Sequence, residues 1–368
     1  MIFRPHFLII GSGLTGAVIA RLLHDAGRSV LMVERRCHLG GNVHDHIHES
    51  GIRVHTYGPH YFRTNDDDLW AFVNRFGGFY KYEPALKSWV DGRHENWPIA
   101  GSYIRRVIGE KWRPDFTGTP SNFEEAALAL MPRLIYEKFV KGYTEKQWGV
   151  PPTQLSASLV KRFDVREDDE PRLMRHRHQG LPKDGYAAWM RRMVEGIPII
   201  LNCDYLCCRH DFPESAHIVF TGPIDEYFHH DMGRLVYRGQ RREHEYLSEA
   251  SYAQPCGQVN NPDPANGPHI RILEWKHMMM PEFAGKIHGT VLTRETTVTA
   301  IDPKDFEYPF PDAANTRLYE AYRARAAQIN GLTVCGRLGE YRYYDMDQAI
   351  ARAMLIAGRL LKEKSVAS

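Results

Sequence analysis

The chain has 368 residues, 47 Lys+Arg against 45 Asp+Glu for a formal net charge of +2, and 43% hydrophobic and 25% charged residues. This composition excludes a disordered or fibrous chain and allows two or three domains of roughly 100–200 residues sharing one buried core. It also removes the general electrostatic reason to expect nucleic acid or an anionic membrane as partner, because phosphate surfaces demand an excess of Lys and Arg. Any anion site must therefore be local.

Against that background, 7 Trp, 19 Tyr, 16 Phe and 19 His stand out; the aromatic faces suit flat ligands as well as core packing. Arg4, Pro5 and His6 interrupt the N-terminus, and no run of about 18 apolar residues follows, so neither a signal peptide nor a membrane span is expected. Cysteines 37, 203, 207, 208, 256 and 335 show no C-x-x-C spacing. They read as reduced thiols in a cytoplasmic protein with no metal site.

The first element is Phe7-Leu8-Ile9-Ile10, a continuous apolar run suited to a strand buried on both faces of a parallel sheet. It leads into Gly11-Ser12-Gly13-Leu14-Thr15-Gly16, a helix over Ala17–Ala26 stopped by Gly27, and a second strand Val30–Val33 ending in Glu34. Strand, glycine loop, helix, strand and acid in that order predict a dinucleotide site. Gly11 makes the turn, Gly13 lets the backbone approach a pyrophosphate at the helix N-terminus, Gly16 lets helix pack on strand, and Glu34 accepts the ribose hydroxyls. The continuation Arg35-Arg36-x-x-x-Gly40-Gly41-Asn42 resembles the extended fingerprint of FAD proteins of the glutathione reductase and amine oxidase type. Arg35, Gly41 and Asn42 are accordingly read as cofactor contacts.

From about Asp66 to Trp148 the periodicity is helical, with Leu69, Phe72, Val73 and Phe76 on one stripe and Leu128, Met131, Leu134, Ile135 and Phe139 on another. The charge run Arg166–Glu170 with Arg172, Arg175 and Arg177 reads as a mobile solvated loop. Short β-like runs follow at Ile197–Leu201, His217–Phe220, His269–Leu273 and Gly289–Thr293. Leu332–Arg337 reads as a returning strand and turn, and a helix from Asp345 to about Leu361 is predicted, with Asp345 as its cap. The expected fold is α/β: a Rossmann-like FAD domain (1–65, about 185–235, 325–368), an inserted helical substrate domain (66–160), a mobile loop (161–184) and an antiparallel sheet domain (236–324).

Four separated strings, His55-Thr-Tyr-Gly-Pro-His-Tyr-Phe-Arg-Thr64, Tyr143-Thr-Glu-Lys-Gln-Trp148, Arg162-Phe-Asp-Val-Arg166 and Arg337-Leu-Gly-Glu-Tyr-Arg-Tyr-Tyr-Asp-Met-Asp-Gln348, resemble the bacterial UDP-galactopyranose mutases over nearly the whole chain. The resemblance implies a redox-neutral flavoenzyme that interconverts UDP-galactopyranose, or a related NDP-sugar, and its furanose form. In that family reduced flavin N5 attacks the anomeric carbon and expels UDP, and the ring recloses through the 4-hydroxyl. NAD(P)H or another donor then only primes the FAD, and a homodimer is implied.

The same resemblance assigns roles by position. Arg162 and Arg294 match phosphate-binding arginines, Arg271 a further active-site arginine, Tyr143 the residue stacked on uracil, and Trp148 one near the sugar; Phe139 and Thr144 belong to the substrate set. Tyr308, Tyr343 and Asp345 match positions near phosphate and sugar, while Arg337, Asp345, Met346 and Gln348 match flavin contacts. His60 is placed in the loop against the isoalloxazine. The chain departs from the family pattern at Tyr61, Arg63, Val140 and Leu173, which leaves the sugar open. Two other readings stand beside the mutase: an FAD oxidoreductase of the amine oxidase type, and a non-catalytic nucleotide-sugar-binding relative.

Overall fold

A computed structural model describes residues 5–212 and 216–365, with their side chains except at Arg162 and at 363–365. Four apolar residues at the start of the chain form the centre of a five-stranded parallel sheet, in the order Ile199–Ile200, Val30–Val33, Phe7–Ile10, His217–Phe220, Leu332–Val334. Both faces of Phe7–Ile10 are buried, which is why that run carries no polar alternation. The helix Leu14–Asp25 and the late helix Met346–Ser365 pack on the sheet in one core, where Val18 and Ile19 share a cluster with Ile350, Ala353 and Ile356. The two ends of the chain thus build one nucleotide-binding unit, and no helix among the described residues is long and apolar enough to cross a membrane.

A second sheet has seven strands, ordered Tyr308–Pro309, Tyr237–Leu247, Thr290–Ala300, Arg271–Glu274, Gln258–Asn260, Leu86–Val90, Arg93–Trp97. All neighbours are antiparallel except Gln258–Asn260 beside Leu86–Val90. Two of these strands fall where the periodicity predicts helix. Between Asp66 and Trp148 the chain forms a helix at Asp67–Asn74, then strands at Phe79–Lys81, Leu86–Val90, Arg93–Trp97 and Ile99–Ala100, and only then further helices. The reason is visible in Leu86–Val90, where Leu86, Ser88 and Val90 are buried in alternation, a period of two hidden by the serine. The longest strand absent from the sequence reading, Tyr237–Leu247, turns Arg238 and Gln240 inward, so it carries no apolar signature.

The segment 161–184 also differs from a solvated loop. Val165–Arg166 pairs with Ile99–Ala100, and His178–Pro182 pairs with Phe62–Thr64 and Phe79–Lys81. Arg166 is 6% exposed, and its guanidinium donates to Asp164 and to the carbonyls of Glu170, Arg172 and Leu173, holding the intervening turn from within. Arg172, Arg175 and Arg177 pair with Glu170, Asp168 and Asp67.

Glycine loop and helix are in direct contact. A Cβ at Gly16 would sit 2.1 Å from the Gly11 carbonyl oxygen, and one at Gly11, where φ is +98°, would sit 2.2 Å from Thr221 Oγ1. Gly16→Ala is therefore expected to push the helix off the sheet and to cost about 1–3 kcal/mol, read as a lower urea midpoint.

Candidate active site

The glycine loop opens on a cleft lined by Gly11, Gly13, Leu14, Thr15, Glu34, Arg35, Gly41, Asn42, His60, Arg337 and Met346 among others. A Cβ at Gly13 would meet nothing nearer than Gly41 Cα at 3.9 Å, so the space in front of the helix N-terminus is open, and no side chain caps that helix. Its first N–H groups are thus available to an anion. Glu34 is 5% exposed; one carboxylate oxygen accepts from Ser12 N and Oγ at 2.7 and 2.8 Å and the other from Arg36 N at 2.9 Å. Arg35 is tied to Glu226 at 2.8 Å. The second glycine loop lies against the first through a Gly13–Gly40 bridge, and a Cβ at Gly41 would sit 2.9 Å from Gly13 Cα.

A second cavity, of about 480 Å³, adjoins the first and shares Asn42, His60, Arg337 and Met346 with it. Its floor is one face of the seven-stranded sheet. Register places Arg242 opposite Glu295, Glu295 opposite Arg271, Arg271 opposite Asn260 and Asn260 beside Ser88, one residue from each of five successive strands. Directly opposed residues face the same side of a sheet, so this polar row is a product of register alone. Arg242 bonds Glu295 at 2.8 Å and Glu307 at 2.9 Å, and Arg271 bonds the other oxygen of Glu295. The two guanidiniums hold the Glu295 carboxyl below its ordinary range despite burial, whereas burial pushes Glu307 up against the pull of Arg242. A Cβ at Gly58 would lie 2.8 Å from Glu295 Oε1, so the turn before His60 rests on this cluster.

Tyr143, Thr144, Trp148, Arg271, Tyr308, Tyr343 and Asp345 line the second cavity. Tyr143 and Trp148 are five residues apart, about 140° around an ideal helix. Both nevertheless line the one cavity from the helix Gly142–Trp148, which follows a π-turn at Glu137–Lys141 and ends at Gly149 with φ +73°. Tyr308 and Tyr343 lie stacked, ring centroids 6.0 Å apart, and the Tyr343 hydroxyl donates to Asp345 at 3.1 Å. Arg337 donates to the Glu307 and Tyr344 carbonyls and lies 4.7 Å from the Tyr343 ring centroid.

Several expectations need correction. Arg294 sits one residue from Glu295, so strand alternation turns it to the opposite face, where it pairs with Glu245 at 2.8 Å and is 43% exposed. Phe139 is 1% exposed and packs edge-on against Tyr103 in the helical core, and Val140 is equally buried. Asp345 and Gln348 line the second cavity and not the nucleotide cleft. Asp345 caps its helix through the backbone: its N–H donates to Gln348 Oε1, while its carboxylate pairs with Arg63 at 2.8 Å. The Arg162 side chain lies outside the described residues. Tyr61, Arg63 and Leu173 all line the cavity.

The sequence reading also passed over Glu295, Glu307, Arg242, Lys161, His176, Gln258 and Asn260. Arg242 belongs to the polar run Arg241–Glu245, which reads as surface, and the inward alternation of Arg238, Gln240 and Arg242 is the signal that could have marked it. His60 receives a different chemistry from that of a titrating imidazole. Its N–H donates to His55 Nδ1 at 3.1 Å, its carbonyl accepts from Tyr186 at 3.0 Å, and burial pushes its ring down to about 3 and that of His55 to about 4. Both rings are neutral at neutral pH. Burial pushes the Tyr308 hydroxyl up to about 12, so it stays a donor.

A dinucleotide cleft that opens through a shared wall onto a polar, aromatic chamber defines a cofactor-dependent enzyme acting on a second ligand beside the cofactor. A family model described as UDP-galactopyranose mutase matches residues 138–343, and one described as an NAD(P)-binding Rossmann-like domain matches residues 9–76. A Klebsiella pneumoniae protein described as "Probable UDP-galactopyranose mutase" is 34% identical, with 97% of this chain and 95% of that one covered. The dTDP-fucopyranose mutase of Escherichia coli is 32% identical, over 96% of this chain and 98% of its own. A crystal structure of reduced UDP-galactopyranose mutase superposes with a TM-score of 0.77 over 97% of this chain and 96% of that chain, at 16% identity, and so shares the fold. The chain belongs to the UDP-galactopyranose mutase family. It is an enzyme of the mutase type, an isomerase, and its membership supports sugar pyranose–furanose mutase activity.

Two outcomes separate the faces of the sheet. Glu295→Gln strands two buried guanidiniums and is expected to cost about 3–5 kcal/mol, whereas Arg294→Ala, which opens an exposed pair, costs less than about 1 kcal/mol; urea unfolding of both variants measures the contrast. The buried histidines give a pH signature. Their folded values lie below the unfolded value of about 6.5, so below that pH the unfolded chain binds protons that the native chain refuses. Stability that is complete above pH 6.5 is then lost as the pH falls toward 4, by up to about 1.4 kcal/mol per pH unit for each histidine. His55→Gln should make the plot of unfolding free energy against pH less steep in that window.

Proposed function

We propose that this protein interconverts UDP-galactopyranose and UDP-galactofuranose, with FAD in the glycine-loop cleft and the UDP-sugar in the adjoining cavity. The observation that carries this is the wall of Asn42, His60, Arg337 and Met346 common to both cavities, because a flavin ring at that wall would face the sugar across it. The cleft suits FAD: the uncapped helix N-terminus and the open space at Gly13 match a diphosphate, and the placed Glu34 carboxylate matches ribose hydroxyls. Bound and reduced, FAD supplies a nucleophilic N5 for redox-neutral transfer of the sugar, with NAD(P)H or another donor serving only to prime it.

The chain's own residues then bind, orient and exclude water. Tyr143 offers its ring to the uracil, and Arg271 a guanidinium to the diphosphate that departs and returns. Glu295 holds that guanidinium in place through a bond to its Nε, so its direction is set before substrate arrives. Tyr308 donates its proton-bearing hydroxyl to a phosphate oxygen. His60 is a neutral residue whose backbone is fastened on both sides, so it would hold a fixed place in the wall beside a flavin bound in the cleft. The segment 161–184 already walls the chamber through Phe163, Leu173, Met174 and His176 and so limits the access of water to it.

The dithionite-reduced protein should convert UDP-galactofuranose to UDP-galactopyranose, followed by HPLC, in preference to dTDP-fucofuranose. Absence of turnover with every UDP-hexose would sink the reading, and faster turnover of the dTDP sugar would reassign the substrate. Tyr143→Ala is expected to raise KM about tenfold through lost base stacking while FAD content stays at the parental level; equal loss of FAD would place Tyr143 in the fold.

A further inference from the structure

The wall of the dinucleotide cleft carries, at Cys203, one member of a pair of sulfurs that the sequence spacing did not announce. Cys203 Sγ and Cys208 Sγ lie 3.1 Å apart, and Cys208 Sγ also reaches the Asp204 carbonyl at 3.1 Å. Both cysteines are half-buried, whereas Cys37 and Cys207 are exposed and Cys256 and Cys335 are buried. A disulfide requires about 2.05 Å, so the two sulfurs would have to approach by about 1 Å to join.

The location gives this pair a consequence. Cys203, Asp204 and Tyr205 line the nucleotide cleft. The Cys203 N–H donates to the carbonyl of Glu34, the ribose acid, at 3.0 Å, and Asn202 N does the same to Arg36 at 3.0 Å. The turn closes by bonds from Cys207 N to Asp204 O and from Cys208 N to Tyr205 O. Two residues of the cleft wall, Asp204 and Tyr205, are therefore carried on the short loop that the two sulfurs bracket.

We propose that Cys203 and Cys208 are a redox-active dithiol whose reversible disulfide locks the wall of the cofactor cleft beside Glu34. The oxidant is a low-molecular-weight disulfide such as oxidised glutathione. One protein thiolate attacks a sulfur of the reagent and expels one glutathione thiolate; the second protein thiolate then attacks the mixed disulfide and expels the other glutathione. Two protein S–H bonds and one reagent S–S bond are lost, one protein S–S bond and two glutathione thiols are gained, and the protein gives up two electrons. Excess thiol reverses the exchange. Intracellular disulfides of this kind are characteristically transient and redox-sensing.

The test uses the FAD-loaded protein in glutathione buffers of graded redox ratio, quenched and digested with chymotrypsin without reduction, then mapped by mass spectrometry. The expected product is a Cys203–Cys208 linkage that survives Cys207→Ser and disappears in Cys203→Ser. Linkage through Cys207 or Cys37, or free thiols at 203 and 208 once Cys207 is fully glutathionylated, would overturn the assignment. This mapping is independent of the mutase reading. A second measurement, which rests on FAD occupying the cleft, compares FAD release from oxidised and reduced protein: release should slow severalfold on oxidation and recover with dithiothreitol, and identical rates would remove the locking role.

Discussion

The candidate site rests on a buried ion cluster of two arginines and two glutamates that has no net charge. Arg242 and Arg271 face Glu295 and Glu307 beneath the second cavity, which Arg271 and Glu307 line, and Glu295 is bonded by both arginines at once. Removing four charges from water is expensive, and mutual attraction repays the cost only when every partner is present. The cluster is thus a poor source of stability and a strong constraint on position. It sets the direction of Arg271 and supports the Gly58 turn that leads to His60. Glu307 also receives Arg337 on its backbone carbonyl. The sheet, the Gly58 turn and the short helix that carries Arg337 are brought to one point by the same few atoms.

The two cavities meet because the chain returns to its first sheet at the end. Leu332–Val334 adds as the outer strand beside His217–Phe220, and the turn after it delivers Arg337 and Met346 to the wall opposite the glycine loop. Residues on that wall line both cavities, so a shift in one cavity is felt in the other. His60 illustrates the economy of the arrangement: its ring is kept neutral by burial, and its position is fixed through its backbone by His55 and Tyr186.

Much of this was legible in the residues. The strand, glycine loop, helix and acid between Phe7 and Glu34 could be read directly because each is encoded by local rules: an apolar run, positive φ at Gly11, close approach at Gly16. The resemblance carried by Tyr143–Trp148 and Arg337–Gln348 pointed to residues that do line the cavities. Reading failed where polar residues face inward. Tyr237–Leu247 has no apolar alternation, and the helical stripe at Leu69–Phe76 obscured the strands beginning at Phe79. Arg294 was misplaced for a related reason: one residue along a strand reverses the face, and that cannot be known until the strand is recognised.

The sequence by itself determined the class of the fold, the dinucleotide loop and the family, because those depend on spacing between neighbours in the chain. Only the tertiary structure decided which charges share a surface. Arg242, Glu295, Arg271, Asn260 and Ser88 come from five separate strands and form one row through register. The facing of Cys203 and Cys208 follows from a turn that no spacing rule describes. Pairing between distant segments is set by how strands align and which faces they bury, and that information is absent from any short window of residues.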